Sequence, residues 1–176
     1  MKVNPTSLKL RGTGPTIGID ASRANVAKKT GVERYAFRII QELKTLIPPE
    51  FRVMLYSREP LFGPLADLPQ NWDNRVISQP RRLWTQIGLS WEMLRRPPDL
   101  LFVPAHMLPL VLPKRTAITL HDVGFSAVPE AYSLQGRLYH ELMTRFSVRR
   151  AQAVFTVSEF SKKELRPRRL NETKYS

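Results

Sequence analysis

The 176-residue chain has no cysteine, 42% hydrophobic residues and 24% charged ones, the composition of a globular domain, and it excludes disulfides and thiolate metal sites. Its 28 Lys and Arg against 15 Asp and Glu give a formal net charge of +13, which attracts phosphate in any form, whether nucleic acid, anionic lipid or nucleotide. The polar N-terminus has no signal-peptide core. The longest apolar stretch, Leu100 to Leu112, is broken by Pro104, His106 and Pro109 and is too short to span a bilayer.

Periodicity then divides the chain into alternating strands and helices. Residues 1–15 read as a polar tail, and Thr16 to Asp20 as a short strand. Gly31 to Ile47 is an amphipathic helix with Val32, Tyr35, Ala36, Ile39, Ile40, Leu43, Leu46 and Ile47 on one stripe. A capping box, Thr30-x-x-Glu33, opens it and Pro48-Pro49 closes it. Phe51 to Tyr56 is the second strand, and a Pro-rich loop leads to a third at Arg75 to Ser78. Leu83 to Arg96 is a helix closed by Pro97-Pro98, and Leu100 to Val103 a short buried strand. The prolines between His106 and Pro113 forbid regular helix. A strand from Thr116 runs into His121-Asp122, Leu134 to Arg150 is a long helix, and Ala153 to Val157 is the last strand. Ser161-x-x-Glu164 is a second capping box, but Pro167 blocks the helix that follows, and residues 166–176 form an irregular basic tail.

Strands too apolar for one-sided exposure, separated by helices, predict an α/β fold: a single Rossmann-like domain over residues 16–165, with a mostly parallel sheet of about six strands and helices on both faces. In such sheets ligands bind outside the carboxyl ends of the strands. Two strands here stop on chemically able residues, His121-Asp122 and Ser158-Glu159. A neutral imidazole at a strand end can donate to a phosphate or sugar oxygen and, protonated, can neutralise a diphosphate. The competing reading has His121 bonded to a backbone carbonyl with Asp122 pinning the turn. Ser158 lacks the Gly-x-Ser-x-Gly elbow of a triad nucleophile, and helix N-cap is its plainer role. Gly31 opens the first helix after a loop bearing Lys28 and Lys29, where backbone N–H groups suit anions, but the loop is neither Gly-x-Gly-x-x-Gly nor a P-loop. No His, Asp or Glu cluster has metal-ligand spacing, and no RRM, zinc-finger or helix-turn-helix pattern supports nucleic-acid recognition.

Six segments, in order, resemble the N-terminal half of glycosyltransferase family 4 enzymes of the GT-B fold: Ile17-Gly-Ile-Asp-Ala-Ser22, Thr30-Gly-Val-Glu-Arg-Tyr35, Trp84-Thr-Gln86, Asp99-Leu-Leu-Phe-Val-Pro104, Thr119-Leu-His-Asp122 and Val157-Ser-Glu-Phe-Ser-Lys-Lys-Glu-Leu165. The resemblance implies an acceptor-side domain facing a nucleotide-sugar domain across a cleft. It puts Gly31 at the cleft floor, His121 at the transferred sugar or diphosphate, Asp122 supporting that loop, and Ser158 and Glu159 at the cleft edge. It further implies retention of anomeric configuration, no metal and no cofactor beyond the nucleotide-diphosphate sugar substrate. The implied partners are that donor and a glycan or lipid-linked acceptor, in polysaccharide or glycolipid synthesis. The expected location is the cytoplasm, with peripheral contact to an anionic membrane face.

The family's second domain carries a Glu-seven-residues-Glu motif. Glu42 with Glu50, and Glu164 with Glu172, have that spacing in the wrong context. The expectation is therefore a chain in which the nucleotide-sugar domain is absent, through a genetic lesion or because a separate chain supplies it. Enzymes remove roughly 8–23 kcal/mol from a barrier, whereas a hydrogen bond to a charged group contributes only about 1.5–3 kcal/mol. The isolated chain is thus expected to have little or no transferase activity. The rival expectation is a non-catalytic membrane- or glycan-binding domain using an exposed Trp84 or Trp91, although the plainer reading of both tryptophans is packing of the Leu83 helix against the sheet.

Overall fold

Apolar strands that alternate with one-sided helices need cover on both faces, and the arrangement found provides it. The structure, a computed structural model, describes residues 14–80, 84–105, 107–121 and 134–157, the side chains at 134, 135 and 137 excepted. Among these residues six strands form one wholly parallel sheet: β1 (Thr16–Asp20), β2 (Arg52–Ser57), β3 (Trp72–Val76), β4 (Leu100–Val103), β5 (Arg115–Leu120) and β6 (Ala153–Thr156). Their spatial order is β3-β2-β1-β4-β5-β6, the doubly wound Rossmann arrangement. Chain order reverses direction between β1 and β4, which opens a crevice at the carboxyl ends of these two strands.

The two faces carry separate cores. Helix α1 (Gly31–Leu46) lays Ala36 and Ile40 on Ile19, Val53, Leu55 and Trp72. The opposite face joins Leu89, Met93 of α2 (Ser90–Arg95) and Val148 of α3 (Leu134–Arg150) to Leu101, Val103, Ile118 and Leu120. Central β1 needs a glycine: a Cβ at Gly18 would come within 2.8 Å of both Pro98 Cγ and Tyr56 Cε2, a clash that rigid neighbours resist.

Three elements differ from the sequence reading. The third strand begins at Trp72 rather than Arg75. Its polar Asp73-Asn74 mimics a loop, yet an edge strand tolerates polar residues, and Asn74 Nδ2 donates to the Leu55 carbonyl at 3.0 Å and to Ser57 Oγ at 2.9 Å. The helix expected from Leu83 is described from Trp84 onward as a π-wound turn, Trp84–Leu89, followed by α2 (Ser90–Arg95). Wider winding over so few residues still buries Trp84 and Leu89, so spacing alone does not reveal it. Leu46, expected on the buried stripe, is 70% exposed because it lies to the side of the line of Ala36, Ile40, Leu43 and Ile47 that packs on the sheet.

Candidate functional site

The crevice is built from four chain segments that end or begin at one edge of the sheet: β1 with its following turn, the first turn of α1, the end of β4, and the end of β5. Asp20 closes β1 fully buried, and its Oδ1 accepts the Ser22 N–H at 2.8 Å. Burial pushes the Asp20 carboxyl above the ordinary range, against the Ser22 hydrogen bonds and the charges of Arg23 and Arg58. Arg58 also donates to the Ser22 carbonyl at 3.2 Å, and Asn25 N–H closes onto the Ala21 carbonyl at 2.9 Å. These bonds hold the loop that leads to α1.

Thr30 and Glu33 then form the capping box that the sequence predicts. Thr30 N–H donates to Glu33 Oε2 at 3.2 Å, the Thr30 hydroxyl bonds the same oxygen, and Arg23 Nη1 reaches Oε1 at 3.3 Å. Burial raises the Glu33 carboxyl, but the Thr30 hydroxyl, the backbone N–H groups and Arg23 together outweigh it and hold the group below its ordinary value. Gly31 is exposed, and a Cβ built there meets nothing within 4 Å. The fold itself does not demand glycine here. What glycine leaves is open approach to the Gly31 and Val32 N–H groups, which have no intrahelical partner at a helix start.

One turn further on, Tyr35 ties α1 to β5. Its hydroxyl lies 3.2 Å from Thr119 Oγ1, and its ring meets the His121 imidazole edge-on with centroids 4.4 Å apart. On the other side His121 Nε2 is 3.3 Å from the Pro104 carbonyl oxygen, at the end of β4. A carbonyl can only accept, so this nitrogen carries the hydrogen. Burial lowers the His121 pKa from its ordinary value, opposed in part by the Pro104 carbonyl and the Glu33 charge. The buried seat thus favours the neutral imidazole. Ligand binding through Nε2 means exchanging the Pro104 carbonyl for the ligand.

The structure thus brings His121 and the Gly31 helix start to one edge, joined through Tyr35. Asp122, Ser158 and Glu159 lie outside the described residues. Asp20, Glu33, Tyr35 and Thr119 also line this crevice, although the sequence reading gave Glu33 only the capping box, Tyr35 only the apolar stripe, and Asp20 and Thr119 only places in strands. Their signal was present in the Gly-Ile-Asp-Ala-Ser and Gly-Val-Glu-Arg-Tyr segments, but only the fold shows which strand end each one reaches. Of the two tryptophans expected to pack the Leu83 helix on the sheet, Trp84 does so, its indole in the core and its N–H donating to the Ile77 carbonyl at 3.0 Å, whereas Trp91 is exposed, as the rival reading required of one of them. Among the described residues no three His, Asp or Glu side chains converge as metal ligands, and no helix is long and apolar enough to cross a membrane.

A sequence profile of Glycosyltransferase Family 4 matches residues 29–176. Among solved structures, an alpha-glucosyltransferase in complex with UDP and a 13-mer DNA containing a HMU base is similar at 10% identity and a TM-score of 0.37. The match covers 81% of this chain and 37% of that one, so this chain spans little more than a third of that protein's length. No curated protein matches the chain.

Proposed function

The chain belongs to glycosyltransferase family 4, and on that premise we propose that it forms the acceptor-side half of a transferase moving a sugar from a nucleotide-diphosphate sugar to a glycan or lipid-linked acceptor. The bond from the sugar's anomeric carbon to phosphate breaks as the bond to an acceptor hydroxyl forms; the hydroxyl's proton passes to the departing phosphate oxygen and the nucleoside diphosphate leaves. The observation that carries this reading is the seating of His121, an imidazole fixed between Pro104 and Tyr35 at the crevice where chain order reverses.

In this reading the leaving diphosphate lies along the edge between His121 and the Gly31 helix start. His121 begins neutral. A diphosphate oxygen takes the place of the Pro104 carbonyl at Nε2, and its charge favours protonation of the imidazole, which converts a neutral hydrogen bond into a charge-assisted one as negative charge develops. The Gly31 and Val32 N–H groups add donors from the helix start. Glu33 carries the only carboxylate of the α1 first turn and is turned onto Thr30 and Arg23, which spares the phosphate its full repulsion. Asp122 would hold the loop behind His121, and Ser158 and Glu159 would border the cleft. Positive groups rather than a metal would offset the leaving charge, and the sugar would keep its anomeric configuration.

Equilibrium binding of UDP, GDP and ADP to the chain, beside His121→Ala, tests the reading. At least one nucleotide is expected to bind, and His121→Ala should weaken it about tenfold, the worth of one hydrogen bond to a charged group. Binding of none of the three, or binding indifferent to His121→Ala, would contradict it.

A further inference from the structure

The outer side of α1 carries positive charge that the crevice does not use. Arg34 and Arg38 stand one helical turn apart and are exposed, and with Ala27, Lys29 and Phe37 they line a pocket of about 450 Å³. Every charged side chain that lines it is a cation. Gly31, Glu33 and Tyr35, the α1 residues of the crevice, take no part in the lining, so the pocket is a separate place on the same helix.

The three cations are held differently. Lys29 is fixed: its Nζ donates to the Val26 carbonyl at 2.8 Å and lies over the Phe37 ring, 4.9 Å from the centroid, with the Phe62 ring at 5.9 Å. Phe37 packs in turn against the core beneath α1, so the ammonium sits on an anchored floor. Arg34 and Arg38 are not tied down. Among the described residues neither guanidinium donates a hydrogen bond or joins an ion pair. Like charges at this helical spacing repel one another, and the two carboxylates of α1 do not relieve them. Glu33 is turned onto Thr30 and Arg23, and Glu42, one turn beyond Arg38, forms no ion pair among the described residues.

Two uncommitted guanidinium forks and one fixed ammonium around a single pocket suit a group with several acceptor oxygens and more than one negative charge. A phosphomonoester meets both needs, with three terminal oxygens and a charge of about −1.5 to −2 at neutral pH. Arginine forks match such oxygens in pairs, and lysine adds a point charge. A carboxylate offers two oxygens and a single charge. The pocket's volume is that of a small-molecule site, and the only large apolar side chain lining it, Phe37, is half-buried beneath Lys29. We propose that this pocket binds the phosphomonoester of a small soluble molecule, with Arg34 and Arg38 on the phosphoryl oxygens and Lys29 supplying charge from the floor. The proposal uses no crevice residue and does not rest on the transferase reading.

The experiment titrates the full chain with glycerol phosphate, its methyl diester, inorganic phosphate, phosphatidic acid vesicles and a short oligonucleotide, at constant ionic strength set by chloride. The Phe37 ring resonances report on the pocket. Glycerol phosphate should shift them, and the diester, with less charge and one terminal oxygen fewer, should bind more weakly. Arg34→Ala and Arg38→Ala should each weaken binding about tenfold while circular dichroism stays unchanged, since both side chains are exposed. Arg34→Lys with Arg38→Lys keeps the charge and loses the forks, and should recover only part of the affinity. Three results would overturn the proposal: no shift of Phe37 by glycerol phosphate, a shift that survives loss of both arginines, or binding confined to inorganic phosphate, the vesicles or the oligonucleotide. His121→Ala should leave the Phe37 response unchanged, and loss of both arginines should leave the nucleotide response of the His121 ring unchanged. The two sites therefore fail independently.

Discussion

Two edges of the same sheet are built on opposite rules. At the His121 crevice polar groups are bound to one another around the strand ends: imidazole to carbonyl, tyrosine to threonine, glutamate to threonine and arginine. Outside α2 the polar groups of Trp84, Gln86 and Ser90 are bound beneath the surface, and the apolar groups of Ile87, Trp91 and Leu94 are left on top. The first arrangement sets directions and suits a small polar ligand that exchanges one hydrogen bond for another. The second sets a shape and suits something broad whose grip scales with buried area. Single polar deletions should therefore damage the crevice, while the shape of the apolar face should be lost when its base is removed.

The largest expected effect lies in that base. Trp84→Ala empties a core site and breaks the bond to Ile77, and should cost about 3–5 kcal/mol in urea unfolding. Glu33→Ala removes the capping box and the partner of Arg23, for about 1–2 kcal/mol. The same change should lower the His121 pKa further, because the Glu33 charge supports the imidazolium. Since the folded state holds Glu33 below its ordinary value of 4.5, its contribution is complete above that pH and is lost as pH falls through the folded value. Wild type and Glu33→Ala should therefore converge in stability in acid.

Smaller effects sharpen the contrast. Tyr35→Phe loses the hydroxyl contact to Thr119 and should cost about 0.5–1.5 kcal/mol while leaving the ring on His121. Tyr35→Ala admits water to the imidazole and should move its pKa up toward 6.5, the ordinary value, read by histidine ring NMR. Trp91→Ala should change folding stability by less than about 0.5 kcal/mol, as an exposed site does, although it removes the centre of the apolar face. A large loss of stability there would show that Trp91 serves the fold instead.

The fold was legible where patterns were strong. The apolar runs at Ile17, Leu101 and Ile118 could only be buried strands, and the Thr30 box and Pro48-Pro49 bounded α1 from both ends. It was less legible at Asp73-Asn74, where the structure satisfies polar side chains at a sheet edge that no local pattern announces. In the site, His121 was visible because a strand ended on it. Tyr35 was not, because it sits mid-stripe on an amphipathic helix and looks like core until β5 is seen beside it. Trp84 and Trp91 were indistinguishable by type; the anchor at Ile77 separates them.

The most direct test of the central claim is the titration of the His121 ring by NMR, with and without a saturating nucleoside diphosphate. The free fold favours the neutral imidazole, so its stabilising contribution is full above pH 6.5 and is lost as pH falls through the lowered folded value. A bound diphosphate should raise that pKa, and by linkage nucleotide affinity should increase as pH is lowered from 8 toward 6. The account predicts a His121 pKa below 6.5 in the free chain and an upward shift when UDP, GDP or ADP binds. A His121 pKa that does not move in the presence of a bound nucleotide would contradict it.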